Sequence, residues 1–261
     1  MPEINKPLVA KVARTFARAA STNALAVAAI TSATPPGNGD VFLAHEQTAG
    51  RGQGSNSWHA TPYANLSFSI VCYPTHLTVA RLFVLSQVTA LAVAATVRSL
   101  LPRKLGTRVR VKWPNDVYVG DQKIAGILIQ NGLRGSNLAW SVIGVGLNVN
   151  EWRFPPQLSA SATSLFKLTN QEHDLDAVLE TLLANFAEYY ALTLDPAGIT
   201  ELDRLYGAQL YRQDAPSRFL HVATNREFSG IIDGVNDAGQ LTVIQVGGRT
   251  SAFDLREIKL L

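Results

Sequence analysis

The sequence predicts an α+β fold: a mixed β-sheet flanked by helices, followed by a small C-terminal β-barrel. Three observations point there. Apolar residues recur with period two in short runs, and Leu66, Phe68, Ile70 and Cys72 are the clearest case of such a strand. Helical runs near residues 78–101 and 172–194 sit among strands that pair as hairpins, rather than in strict strand–helix alternation, which favours α+β over a doubly wound parallel sheet. After Tyr206 five short strand-like segments crowd together, near 208–213, 218–223, 226–233, 240–246 and 249–254. Turns at Asp237-Ala238-Gly239 and Gly247-Gly248 separate them, a pattern that predicts a small barrel. The expected division is a main domain over residues 1–205 and a small domain over 206–261.

Ser21-Thr22-Asn23 precedes an Ala/Leu/Val run that ends before Thr34-Pro35-Pro36-Gly37, so the first helix should start near residue 22 on a hydroxyl or amide cap. Residues 41–44 form a short apolar strand, and a glycine-rich loop follows over 50–57. The long helix stops at Leu101-Pro102, where proline ends helical pairing. Val109 and Val111 open another strand. Residues 116–129 read as a hairpin turning at Gly120-Asp121-Gln122, and residues 138–149 as a further strand. There is no internal repeat and no low-complexity tract.

Composition narrows the function classes. Only 16% of the 261 residues are charged and the net charge is +3, with basic residues scattered, which is no nucleic-acid footprint. The densest basic stretch, Arg103, Lys104, Arg108, Arg110 and Lys112, runs directly into a motif described below. The single cysteine, Cys72, rules out a disulfide framework and reads as a buried strand residue. The N-terminus lacks a secretory pattern. The apolar run over 82–97 is about a turn too short to span a bilayer and contains Ser86, Gln87 and Thr89. The expectation is a cytoplasmic protein with neither a membrane nor a nucleic-acid partner.

Three motifs carry chemistry. In the stretch from Gln47 through Gly50-Arg51-Gly52-Gln53-Gly54 to Trp58, three glycines within five residues give a backbone able to turn its N–H groups toward an anion. Arg51 between two of them adds a planar permanent charge suited to phosphate or carboxylate. An ordinary flexible loop is the competing reading, since the spacing matches neither a dinucleotide fingerprint nor a Walker loop. The second motif is Lys112-Trp113-Pro114-Asn115-Asp116, followed by Lys123-Ile124-Ala125-Gly126. It gathers two lysines, an amide and a carboxylate around one hairpin. Asp116 there suits either Mg²⁺ or an amine, and a solvated hairpin is the alternative. The third is Gly144-Val145-Gly146-Leu147-Asn148, where a strand with two glycines permits close approach of a ligand or a backbone. Asn148 offers a donor and an acceptor to an adenine edge, or simply ends a strand.

In this order and spacing the motifs resemble those of the biotin–protein ligases, also called biotin–[acetyl-CoA-carboxylase] ligases, from about residue 14 to the C-terminus. The resembling stretches are Ser21-Thr22-Asn23, Gln47 to Gly52, Lys112 to Asp116, Lys123 to Gly126 and Gly144 to Asn148, with residues 230–258 similar to that family's small SH3-like barrel. The resemblance implies a catalytic domain related to class II aminoacyl-tRNA synthetases. It also implies ATP-dependent conversion of biotin to biotinyl-AMP, and transfer to a lysine of a biotin carboxyl carrier domain. Ser21, Thr22, Asn23 and Gln47 would then receive the ureido head of biotin, with Gly50 and Gly126 leaving room for its apolar part. Arg51 and Lys123 would hold the biotin carboxylate and the α-phosphate. Gly52, Gln53, Trp58, Lys112, Trp113, Asn115, Asp116 and Asn148 would form the ATP side, with Asp116 also a candidate for Mg²⁺.

The chain departs from the family at Gln53-Gly54-Ser55-Asn56, where many members carry further arginines. Only some twenty residues precede the first motif, too few for the winged helix of bifunctional members, so no DNA-binding role is expected. A lipoate or octanoate ligase on the same fold, or a non-catalytic biotin- or carrier-binding module, are the rival readings. Whether the protein is a monomer or a homodimer is left open by the sequence.

Overall fold

A computed structural model describes residues 8–54 and 56–261. The N-terminal residues 1–7, read above as lacking a secretory pattern, and Ser55 of the glycine-rich loop lie outside it. The main sheet has seven strands: β1 (Lys11–Phe16), β2 (Asp40–Ala44), β3 (Leu66–Cys72), β4 (Val109–Lys112), β5 (Asp116–Val119), β6 (Gln122–Arg134) and β7 (Asn137–Leu147). Their order is β1-β2-β3-β7-β6-β5-β4. Only β1 and β2 run parallel and the rest pair antiparallel, so the sheet is mixed as expected.

Helices cover both faces. α1 (Thr22–Ile30) packs on one face, where Ala26 and Ala29 meet Phe42, Val71 and Val142. α2 (Phe83–Leu100) and α5 (Leu175–Ala191) pack together on the other face and bury the larger core. Short α3 (Arg103–Gly106) and α4 (Leu165–Thr169) trim the edges. α6 (Pro196–Gly207) is capped by Asp195, whose carboxylate accepts the Ala197 N–H, with proline in the first turn. That helix runs through position 205.

Together with a 3₁₀ turn, α2 forms a helical stretch, Val79–Leu100, long and apolar enough by length and composition to cross a membrane, longer than the 82–97 run suggested. Leu85, Val88, Leu91 and Val97 are nevertheless fully buried against the sheet and α5, so the apolarity is used by the core. Of the polar residues within it, Gln87 donates to Asp203 and Thr89 to the Leu85 carbonyl, while Gln87 Oε1 has no partner among the described residues.

The C-terminal part differs from expectation. β8 (Pro216–His221), β9 (Arg226–Val235), β10 (Leu241–Gln245), β11 (Thr250–Phe253) and β12 (Ile258–Leu260) form one antiparallel sheet in the order β11-β10-β9-β8-β12. Its outer strands do not pair with each other among the described residues, so no closed barrel is seen. The predicted strand over 208–213 is instead a bridging turn. Leu210 pairs with Val111 of β4 and Gln213 with Ile232 of β9, while Arg212 and Asp214 take positive φ, which breaks the extended run. β12, unforeseen, takes the place of the missing strand. Trp113 N–H donates to the Gly239 carbonyl at 2.9 Å and Arg81 pairs with Asp237, so the second sheet is stitched directly onto the first unit.

Cys72 is fully buried on β3, and burial pushes its thiol above the ordinary value of 9.0. Buried Tyr206 and Tyr190 are raised likewise. The folded state therefore keeps protons that the unfolded chain releases above pH 9, and stability falls as pH rises. For Cys72 the loss should reach about 1 kcal/mol by pH 10. Urea unfolding of Cys72→Ala at pH 8 and pH 10 should show a smaller drop than wild type; an equal drop would remove the thiol as a cause.

Candidate functional site

A cavity of about 690 Å³ opens where the face of the main sheet that carries α1 meets the C-terminal sheet. Its floor is built by β6 and β7, on which Gly126 stands opposite Gly146 and Leu128 opposite Gly144. Each glycine is needed for close approach. A Cβ on Gly144 would lie 2.2 Å from Asn23 Oδ1, and one on Gly146 2.3 Å from the Trp58 ring. A Cβ on Gly126 would meet Lys123 Nζ and Trp58 Cζ3 at 3.2 Å. The indole of Trp58 thus lies flat on a patch that two glycines leave bare. Its Nε1 is buried and has no partner among the described residues, a donor that a ligand could use.

At one end stands a polar pocket. Ser21 occupies the N-cap position of α1 without a capping hydrogen bond from its side chain. The Thr22 N–H donates to Gln47 Oε1 at 2.9 Å. Ser69 Oγ lies 2.6 Å from Asn23 Oδ1 and 2.7 Å from Thr22 Oγ1. Asn23 Oδ1 can only accept, so Ser69 donates to it and receives the Thr22 proton. Asn23 Nδ2 then donates to the Leu128 carbonyl. Ser21, Thr22, Asn23 and Ser69 are buried and Gln47 is half-buried, and the Thr22, Asn23 and Ser69 side chains are oriented by their mutual hydrogen bonds, as suits reading a neutral polar ligand.

Charge collects at the other end. Lys123 Nζ is 2.6 Å from Asp116 Oδ1 and 5.7 Å from the centre of the Trp58 ring. The Lys123 ammonium thus neutralises the half-buried Asp116 carboxylate through Oδ1. Lys112 lies over the Tyr118 and Tyr211 rings and donates to the Tyr118 hydroxyl at 3.3 Å. Desolvation draws its ammonium below the ordinary lysine value, against the pull of Asp116, and Lys123, Arg212 and Lys259 push the same way as burial. The Tyr118 hydroxyl is pushed up to about 12 by burial and by Asp116. A cationic seam with one carboxylate is suited to an anion carrying several charges. Arg51, on the loop above, is exposed and bridges to Ser57.

Of the residues singled out in the sequence, Ser21, Thr22, Asn23, Gln47, Arg51, Gly52, Gln53, Trp58, Lys112, Trp113, Asn115, Asp116, Lys123 and Gly126 all line this one cavity. Gly50 and Asn148 do not line it. Gly50 is buried under Trp58, whose backbone pairs with it. Asn148 is buried and donates to the Thr163 carbonyl, with its Oδ1 unpartnered. Asn115 is spent on the Ile127 carbonyl, tying the turn between β4 and β5 to β6.

Residues not singled out complete the wall. Tyr211, Arg256 and Lys259 reach it from the C-terminal segment, beside apolar Leu255 and Leu260. No periodic pattern marks them, because they come from turns and a three-residue strand. Ser69 is different: a serine on a strand otherwise apolar at alternate positions was a visible signal.

A model of the Biotin/lipoate A/B protein ligase family matches residues 15–148. The chain is 30% identical over 239 residues to a biotin–[acetyl-CoA-carboxylase] ligase of Paracoccus denitrificans, covering 90% of this chain and 95% of that one. It is 29% identical to a bifunctional ligase/repressor of Bacillus spizizenii, of whose length it spans 61%. The fold is that of the biotin protein ligase of Aquifex aeolicus solved with biotin and ATP, with a TM-score of 0.75 over 95% of this chain and 97% of that one at 22% identity. Fold and cavity thus define the architecture of a biotin protein ligase. The chain belongs to the biotin/lipoate protein ligase family.

The glycine floor makes a direct prediction. Gly144→Ala should displace Asn23 and cost about 1–3 kcal/mol, as overpacking does. Gly207→Ala, where a Cβ meets nothing within 4 Å, should be neutral or slightly stabilising. Urea midpoints of the two variants compare them; equal midpoints would contradict the close approach.

Proposed function

We propose that the chain is a biotin–protein ligase of the cytoplasm, which adenylates biotin with ATP and passes the acyl group to a lysine of a biotin carboxyl carrier domain. The observation that carries this reading is one cavity with a neutral polar pocket at one end, a glycine floor shared with the Trp58 indole in the middle and a cationic seam at the other. Biotin has that sequence of chemistries: a neutral urea, an apolar ring and chain, and a carboxylate. The names of the Paracoccus and Aquifex relatives support it.

In this reading Ser21, Thr22, Asn23 and Gln47 take the urea, and the ring lies along Gly126 and Gly146 beside the Trp58 indole. The carboxylate reaches Lys123 and Arg51. A carboxylate is a poor acyl donor, so its oxygen attacks the α-phosphorus of ATP and pyrophosphate leaves. Arg51 and Lys123 neutralise two anions that otherwise repel and stabilise the charge that develops between them. Gly52, Gln53, Lys112, Trp113, Asn115 and Asp116 flank the nucleotide, with Arg256 and Lys259 of the second sheet beside its phosphates. Asn148 serves that side from behind the wall, by its free Oδ1. The acceptor amine then attacks the biotinyl carbonyl carbon and AMP leaves. Asp116 is placed to orient that amine once Lys123 is engaged by the ligand. Positioning does most of the work, with no covalent enzyme intermediate.

The site also fits Mg²⁺ brought in with the nucleotide. No group of three or more metal-ligating side chains exists among the described residues, but a lone carboxylate, Asp116, suits an ion held mainly by phosphates and water. Mg²⁺ would supply charge neutralisation of the triphosphate. We further propose that residues 1–205 form the catalytic domain and 206–261 an SH3-like module that completes the nucleotide wall.

Lys123→Ala and Arg51→Ala should each lower biotin-dependent pyrophosphate release by about two orders of magnitude, the scale for losing one oxyanion donor. Near-wild-type release in either variant would remove that residue from the adenylation step. With Gln53 and Gly54 where many members have arginine, free biotinyl-AMP should also accumulate in solution when no carrier is present. Chromatography that finds none would show that the loop retains the adenylate without those arginines.

A further inference from the structure

Glu151 follows the third motif and takes no part in the cavity wall, yet it is 1% exposed. A carboxylate that deep normally has a cation or a metal beside it. Among the described residues no cation pairs with Glu151. Its partners are three neutral donors: Thr61 N–H at 2.9 Å and Asn65 Nδ2 at 2.8 Å on Oε2, and the Thr61 hydroxyl at 2.8 Å on Oε1. Asn65 passes the connection on, its Oδ1 accepting the Val149 N–H at 2.9 Å, and the Asn150 N–H donates to the Ala64 carbonyl at 2.7 Å. The Glu151 carbonyl is held in turn by Ser164, which caps α4.

All these bonds tie one short segment, residues 61–65, to the chain leaving β7. That segment begins three residues after Trp58. On the other side of Trp58, the chain is fixed by Thr48 and Ala49 N–H groups donating to Ala19 and Ala20, and by Gln47 on Thr22. Between these two anchors, among the described residues, Trp58 is held by its N–H on the Gly50 carbonyl, by its indole on the glycine floor and by the Lys123 ammonium over its ring. A flexible chain anchored at one end alone would leave the indole free to lift off the floor; the second anchor is the Glu151 cluster, joined by Tyr63, whose N–H donates to the His45 carbonyl and whose ring stacks on that of His45.

We propose that Glu151 is a positioning residue for Trp58, acting through Thr61 and Asn65, and so for the ligand that shares the glycine floor with the indole. A buried carboxylate serves better than an amide because all of its lone pairs accept, and Thr61 and Asn65 present only donors to it. The statement about ligand rests on the biotin ligase reading; the statement about Trp58 does not.

The test compares wild type with Glu151→Ala, Glu151→Gln and Thr61→Val. Amide hydrogen exchange is read at Trp58 and, as a reference, at Ile70 and Ile143 in the centre of the main sheet. Exchange at Trp58 should rise at least tenfold in Glu151→Ala and less in Glu151→Gln, which keeps one acceptor, while the two strand amides stay unchanged. Alongside, the KM for biotin and the share of biotinyl-AMP released should rise several-fold, with kcat for transfer changed less. Should Glu151→Ala fail to fold, the Gln and Val variants must show the same pattern more weakly. The proposal is overturned if Trp58 exchange moves only in step with the strand amides, or not at all, since Glu151 would then be a staple of the fold alone. A wild-type protein that makes no biotinyl-AMP would overturn the functional reading, and the exchange measurement would still decide the role of Glu151.

Discussion

Everything in the site depends on the bare patch where β6 and β7 meet. Gly126 faces Gly146 across the pair and Gly144 lies one step along, so the centre of a seven-stranded sheet presents backbone instead of side chains. A sheet interior pays for glycine in conformational entropy and lost packing, about 0.5–1 kcal/mol per residue relative to alanine. Here the space is used by Asn23 from α1 and by the Trp58 indole, both of which would overlap a Cβ. The two ends of the cavity are arranged around that gap: the hydroxyl and amide pocket where α1 approaches the floor, and the charged seam where Lys123 leaves β6.

The seam is a balance of opposing effects. Lys112, Lys123, Arg256 and Lys259 line the cavity with one half-buried carboxylate, Asp116, which pairs with Lys123. Desolvation, helped by the like charges of Lys123, Arg212 and Lys259 and opposed by Asp116, holds the Lys112 ammonium below its ordinary value, so the seam carries an excess of like charge. An incoming polyanion relieves it, and its binding is favoured by the same repulsion that destabilises the unliganded protein. The second sheet matters for this reason: it contributes cations to the seam and is fastened to it by Trp113 and by the Val111–Leu210 pairing.

Much of this was legible in the chain, for physical reasons that differ by element. Strands whose apolar residues alternate, such as β3, announce themselves by that period, and the long helix by its apolar run and its proline stop. β1 was invisible because it is an exposed edge strand, so its residues have no apolar face to set a period. The second half of the β6–β7 hairpin was lost among polar residues 130–136, where pairing, not hydrophobicity, holds the strands. α6 was hidden by Gly198 in its first turns, although Asp195-Pro196 was a start signal. The motifs found the polar pocket and the ion pair of Lys123 and Asp116, since those residues cluster in sequence. Arg256, Lys259 and Tyr211 were missed because they reach the cavity only through the docking of the second sheet. The expected barrel failed at 208–213, where two positive-φ residues and the demand of β4 for a partner turned a strand-like run into a bridge.

The central claim is that this cavity adenylates biotin in preference to other acyl acids. ATP–pyrophosphate exchange with the intact protein, run with biotin and with lipoate side by side, tests it most directly. The account predicts exchange that depends on biotin, with lipoate giving little above the rate without acid. Exchange driven equally well or better by lipoate, or no exchange with either acid, would contradict it.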